Sequence, residues 1–182
     1  KDILKIVNDF KNSSKLAFKA GYDGVEIHMA HGYLLHEFVS PISNKRKDEY
    51  GLESNNKYKL QEQIIKSISK IRNKNKIIGA RVTGDDHLKK GIKPDDCIEL
   101  INKLKLKGLH YACISSGGII PITKMKKNKV AFRLKMAKYI KKKTNLLIRT
   151  SGNLNSKKIL LNSIRKKDVD LIAIGREFTK NK

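Results

Sequence analysis

The sequence is poor in the residues that most often announce a function. It has two cysteines in 182 residues, Cys97 and Cys113, with neither metal-ligand spacing nor a partner pattern for a disulfide framework. Both are expected to stay reduced, Cys113 as a small core residue. Aromatic residues make up 6%, so platforms for stacking nucleic-acid bases are few. Arginine is scarce: of 41 basic residues, 34 are Lys and 7 are Arg, and Arg is the group best suited to bidentate recognition of phosphate and guanine. No apolar run reaches the roughly 18 residues that span a bilayer, and no signal-peptide pattern opens the sequence. A cytoplasmic location is expected, with no bound metal, membrane or specific nucleic acid.

Acidic residues are outnumbered, 17 against 41, which gives a net charge of +24. That charge would suit a nucleic-acid or anionic-membrane surface. The lysines, however, are spread over every predicted helix beside abundant Ile and Asn, as biased codon usage on solvated faces produces. A basic nucleic-acid-binding protein stays as an alternative, recognisable by tight binding with a steep salt slope and a sequence preference. A hydrophobic content of 39% fits a globular chain, and this length suits one domain, residues 1–182.

Along the chain, strand and helix signals alternate. Asp2 opens a helix with apolar positions Ile3, Ile6, Val7, Phe10, Ala17 and Phe18, closing at Gly21. Strands are predicted at Gly24–His28, Ile77–Thr83, Leu109–Ser115, Leu146–Thr150 and Leu171–Gly175. Helices are predicted around Leu60–Ile71, from Pro94 to Gly108, over Ala131–Lys142 and over Ser156–Ile164. Pro94 with Asp95 and Asp96 marks a helix start. There is no hairpin signal and no internal repeat. Strand-helix-strand repeats imply a parallel sheet, either open and doubly wound or part of an eight-stranded barrel. Ser151-Gly152 and Gly175-Arg176, loop groups after the last two strands, favour the barrel, because a phosphate site there needs such groups.

The densest chemistry lies just past the first strand, where His28, His31, Tyr33 and His36 fall within nine residues. In parallel α/β proteins the C-terminal ends of strands carry the active site. Alternation turns Val25 and Ile27 to one face of the first strand, with Glu26 and His28 on the other. On the second strand it separates Ile78, Ala80 and Val82 from Gly79, Arg81 and Thr83. The apolar faces belong under helices, which aims Glu26, His28 and Arg81 inward, where a charge needs a partner. Arg81 can pair with Glu26 or face an anionic ligand. His36 is read as a surface or supporting residue.

The run GYDGVEIHMAHGYLLHEFVSPISNKRKDEYG, from Gly21 to Gly51, resembles the old yellow enzyme family of FMN-dependent ene-reductases, especially its bacterial subclass with two histidines in the substrate site. ARVTGDD, ISSGG and DLIAIGRE extend the resemblance over nearly the whole chain. It implies an incomplete (β/α)8 TIM barrel holding the fourth to eighth strands, with three N-terminal strands and the final helix missing, and hence a fragment inactive alone. It implies FMN, with NADH or NADPH as reductant, and a hydride transferred to an activated alkene. It assigns His28 and His31 to the substrate oxygen, Tyr33 to proton donation, Arg81 to the flavin, and Gly152, Gly175 and Arg176 to the FMN phosphate. A tyrosine, with an ordinary pKa of about 10, holds a proton at neutral pH and can deliver it. Exposed barrel edges would favour self-association.

Two stretches depart from the family pattern. After Glu49-Tyr50-Gly51 the family has a second glycine, then Glu, Asn and Arg, whereas this chain reads Leu52 to Lys57 as LESNNK. Ser151-Gly152-Asn153 is also a loose match. A non-flavin barrel enzyme keeping only the phosphate site is the second alternative.

Overall fold

The computed structural model describes residues 2–120, 132–152 and 156–175. Helix α1 (Asp2–Lys19) leads into strand β1 (Gly24–Met29), the short helix α2 (Leu34–Glu37) and helix α3 (Lys59–Ser69). Then come β2 (Ile77–Thr83), α4 (Pro94–Lys105), β3 (Tyr111–Ser115), α5 (Phe132–Lys141), β4 (Leu147–Ser151), α6 (Lys157–Arg165) and β5 (Leu171–Ala173). Every strand pairing is parallel, and the sheet order is β1-β2-β3-β4-β5. A doubly wound sheet reverses its strand order at a switch point; among the described strands there is no reversal. The chain is part of a (β/α)8 barrel.

Strand parity decides what lies on each side of this sheet. Ile27 pairs with Ala80, Ala80 with Ala112 and Ala112 with Ile148. These residues lie on the helix side and are buried with Ile64, Ile65 and Ile68 of α3, Leu100, Ile101 and Leu104 of α4, and Ala137 and Ile140 of α5. Each large apolar side chain so buried stabilises the fold by about 1.5–3 kcal/mol. The opposite parity faces the barrel interior, where the polar residues gather. Among the described strands β1 and β5 each have one neighbour, and Leu147 and Leu171 on the inner face are about half exposed.

Pro94 takes the first turn of α4, and Asp96 accepts the Lys93 N–H at 2.9 Å, as the sequence implies. Cys97 and Cys113 are both buried and free. Burial, assisted by Asp96, pushes the Cys97 thiol up to about 12, so it holds its proton at neutral pH. Several bounds differ from the sequence reading, β1 ending at Met29 and β4 running Leu147–Ser151 among them. Residues 34–37, where no helix is predicted, form α2. β3 starts at Tyr111 rather than Leu109, although the His110 N–H still donates to the Ile78 carbonyl. β5 stops at Ala173 rather than Gly175, level with Ser151, where its partner β4 ends. No helix among the described residues is long and apolar enough to cross a membrane.

Candidate active site

A charged cluster lies on the inner face of the sheet. Glu26 on β1 accepts the Tyr111 hydroxyl at 2.9 Å and Arg149 Nη2 at 2.5 Å through Oε2, while its Oε1 lies 3.1 Å from Arg81 Nε. Gly79 makes room for this: a Cβ there would meet the Tyr111 ring at 2.2 Å. The ring also lies under the Arg149 guanidinium, 5.3 Å away. Burial, then the bond to Glu26, pushes the Tyr111 hydroxyl up to about 12. One carboxylate between two guanidinium groups leaves one positive charge in excess. The buried Nε atoms of Arg81 and Arg149 have no well-aligned hydrogen-bond acceptor among the described residues, the Arg81–Glu26 contact being an off-line ion pair.

The mouth of the barrel lies above this cluster. His28 sits beside Arg81 in the sheet register. Its ring centre is 5.1 Å from that of His31 and 5.2 Å from that of Tyr33. His31 takes the left-handed conformation, φ 62°, which costs a residue with a Cβ about 1–3 kcal/mol. The turn carries His31 over the end of β2 to β3, where Nε2 lies 2.5 Å from Ser115 Oγ. Gly32 and Gly118 permit the approach: a Cβ on Gly32 would stand 2.3 Å from the Gly118 carbonyl oxygen. Tyr33 caps α2 and is 64% exposed.

Burial, followed by the charge of Arg81, lowers the His28 pKa. Burial and then neighbouring His28 and Arg133 push His31 down from 6.5 to about 4. Both rings are therefore neutral at pH 7. Between about 6.5 and about 4 the unfolded chain takes up a proton that folded His31 resists, so the unfolded state binds more protons there. Stability is expected to fall as pH drops through that window. In urea unfolding at pH 7 and pH 4.5, His31→Asn should lose less than the parent; an identical loss would contradict the assignment. His28 and His110, also lowered by burial, act in the same direction, so only the difference between the two proteins reports His31.

His36, read as a surface or supporting residue, is wholly buried. Its Nδ1 accepts the Gly32 N–H at 2.8 Å, and its Nε2 lies 3.0 Å from Asp86 Oδ1. The Asp86 carboxyl is held below the usual range: burial opposes this, but the His36 contact, the Ile92 N–H and the Ser40 hydroxyl outweigh it.

Gly152 and Gly175 follow the adjacent strands β4 and β5. Gly152 has φ 102°, and a Cβ there would meet Arg133 Nη1 at 2.5 Å. Arg133, unremarked in the sequence reading, also donates from Nε to Ser116 Oγ at 3.1 Å, so it bridges the loops after β3 and β4. Around Gly175 a Cβ would meet nothing within 4 Å. Arg176 lies outside the described residues. Among those described, no group of three or more His, Cys, Asp or Glu is placed to hold a metal.

Known proteins resemble this chain in sequence and in fold. Residues 1–182 match the model of the NADH:flavin oxidoreductase / NADH oxidase family. The chain is 32% identical over 181 residues to an NADPH dehydrogenase of Clostridium acetobutylicum, covering 99% of this chain. It is 34% identical to an NADPH dehydrogenase of Listeria innocua, covering 98% of this chain. It spans about half, 52%, of the length of each. Among solved structures, a 2-naphthoyl-CoA reductase complex matches with a TM-score of 0.85 at 19% identity, over 94% of this chain and 27% of that one. Histamine dehydrogenase from Rhizobium sp. 4-9 matches with 0.81 at 20% identity, over 96% of this chain and 26% of that one. Those two likenesses concern the fold. With the family match running through every strand described above, the chain belongs to the NADH:flavin oxidoreductase / NADH oxidase family.

Proposed function

We propose that these residues form the substrate side and part of the flavin side of an FMN-dependent ene-reductase. The observation that carries this reading is the convergence of His28, His31 and Tyr33 at the barrel mouth, beside the cationic Arg81–Glu26–Arg149 cluster. That cluster fits FMN: its excess positive charge and its poorly satisfied guanidinium Nε atoms suit the anionic end of a reduced flavin ring. Gly152, Gly175 and Arg176 take the phosphate in this reading, with Arg133 reaching the same loop. The relatives' name points to NADPH as the reductant.

When bound and reduced, FMN supplies a hydride for the β-carbon of an alkene conjugated to a carbonyl or nitro group. The chain's own groups handle the charge and the proton. His28 and His31 donate to the oxygen on which negative charge develops, and donors already in place lower that barrier. With the Ser115 hydroxyl donating to His31 Nε2, the Nδ1–H is left for the substrate. Tyr33, exposed beside His28, delivers a proton to the α-carbon. This activity needs more of the barrel wall than the five described strands supply, so we expect residues 1–182 taken alone not to reduce an enone.

The test is ligand binding to the holoenzyme. Replacing both His28 and His31 with Ala should weaken a phenol, which mimics the charged oxygen, by roughly tenfold to a hundredfold. FMN affinity should stay as it was. An unchanged phenol affinity would remove both histidines from the substrate site.

A further inference from the structure

We infer that Asp86 is a positioning residue for the substrate site: it fixes which ring nitrogen of His36 carries the proton, and His36 in turn holds the turn bearing His31. The inference rests on the reading of His28, His31 and Tyr33 given above and deepens it.

Its basis is a one-way hydrogen bond on one side of the His36 ring and a close carboxylate contact on the other. The Gly32 N–H can only donate, and it points at His36 Nδ1 from 2.8 Å. That nitrogen must keep its lone pair, so the ring proton sits on Nε2. Nε2 lies 3.0 Å from Asp86 Oδ1, off the ideal line, and neither atom has another partner among the described residues. The other carboxylate oxygen, Oδ2, receives the Ile92 N–H at 2.8 Å and the Ser40 hydroxyl at 3.2 Å. Those two donors fix the carboxyl's orientation and leave Oδ1 as an acceptor facing Nε2. Gly91 closes the other side: a Cβ there would stand 2.5 Å from Asp86 Cβ. His36 and Asp86 are respectively 0% and 1% exposed, so water does not substitute readily for either partner.

The far end of the chain is the site itself. The Gly32 N–H belongs to the turn in which His31 has φ 62° and Gly32 φ 78°. That turn sets His31 against Ser115 and starts α2 at Tyr33. Without the acceptor at His36 Nδ1, nothing else described receives the Gly32 N–H, and a left-handed His31 loses a bond that holds it.

Asp86→Asn tests this without changing shape. The Ile92 N–H, which can only donate, requires oxygen at Oδ2, so the new amide turns its NH2 toward His36 Nε2. Nε2 must then accept, the ring proton moves to Nδ1, and it confronts the Gly32 N–H. Nitrogen-15 NMR should show His36 as the Nε2–H tautomer in the parent and the Nδ1–H tautomer in Asp86→Asn, with faster exchange of the Gly32 amide. In the holoenzyme the variant should bind phenol roughly tenfold to a hundredfold more weakly, with FMN affinity unchanged. His36→Asn, whose side-chain oxygen can occupy the Nδ1 position, should retain more phenol affinity than His36→Leu.

An Nδ1–H tautomer in the parent would overturn the inference even if Asp86→Asn failed to fold. So would a folded Asp86→Asn with parental phenol affinity, or equal losses in the two His36 variants. If the parent holoenzyme binds no phenol, the reading of the substrate site fails instead. The tautomer and the Gly32 exchange still report on the positioning chain in that case.

Discussion

Tyr33→Phe is expected to slow reoxidation of the reduced holoenzyme by an activated alkene by about 10²–10⁴-fold, the range a positioned general acid contributes. Reduction by NADPH should hardly change. The two half-reactions separate because only the alkene step consumes a proton at carbon. The substitution is mild for the fold: the ring is 64% exposed and Phe keeps its packing 5.2 Å from His28. The hydroxyl has no hydrogen-bond partner among the described residues, so its loss strands no buried group. Stopped-flow measurement of both half-reactions is the check, and equal slowing of the two would show that Tyr33 is not the proton donor. A nitroalkene makes a useful second substrate. Its reduced anion can take a proton from water after release, so the penalty there should be smaller than for an enone.

The parts of this site that were legible in the sequence are those fixed by local periodicity. Alternation along β1 and β2 aims Glu26, His28 and Arg81 inward, and the structure places them there. The same parity on β3 and β4 selects Tyr111, Ser115 and Arg149. What parity cannot supply is register. Glu26 meets Tyr111 across β2 because the intervening row holds Gly79, which has no side chain to obstruct the ring. That pairing depends on how three strands slide past one another, and no local pattern encodes it. The surface alternative for His36 fails for a similar reason, while the supporting one agrees with its burial and its contact to the Gly32 N–H. Its neighbours His31, Tyr33 and Glu37 include exposed or half-exposed residues, yet one turn of α2 rotates His36 under the loop after β2. Asp86 sits beside Asp85 in the sequence, and burial with the contacts to His36, Ile92 and Ser40 is what distinguishes it. The choice between barrel and open sheet likewise waited on strand order, a long-range property.

Glu26→Gln should give the largest loss of stability from a single change in the interior cluster. Its carboxylate is the counter-charge to both Arg81 and Arg149, and the three side chains are only 21%, 35% and 23% exposed. Removing one partner of a buried ion pair costs roughly 3–5 kcal/mol, chiefly because the remaining charge is stranded. Partial exposure here moves the expectation to the low end, about 3 kcal/mol, even though two cations are stranded. Tyr111 keeps an acceptor, since the amide oxygen can replace one carboxylate oxygen. The loss is therefore electrostatic rather than a loss of packing. Lys47–Glu53 is the control: at 81% and 83% exposure, that pair is worth about 0–1 kcal/mol. Urea unfolding of Glu26→Gln and Glu53→Gln compares the two directly, and similar midpoints would mean that Glu26 does not balance the arginines. The same electrostatics predicts a second sign. An anionic ligand that binds only the folded state stabilises it by mass action, and it gains more where two guanidinium groups lack their carboxylate. In the holoenzyme, FMN should therefore raise the melting temperature of Glu26→Gln by more than it raises that of the parent. A smaller rise in the variant would mean that Glu26 orients Arg81 and Arg149 toward the flavin rather than competing with it for their charge.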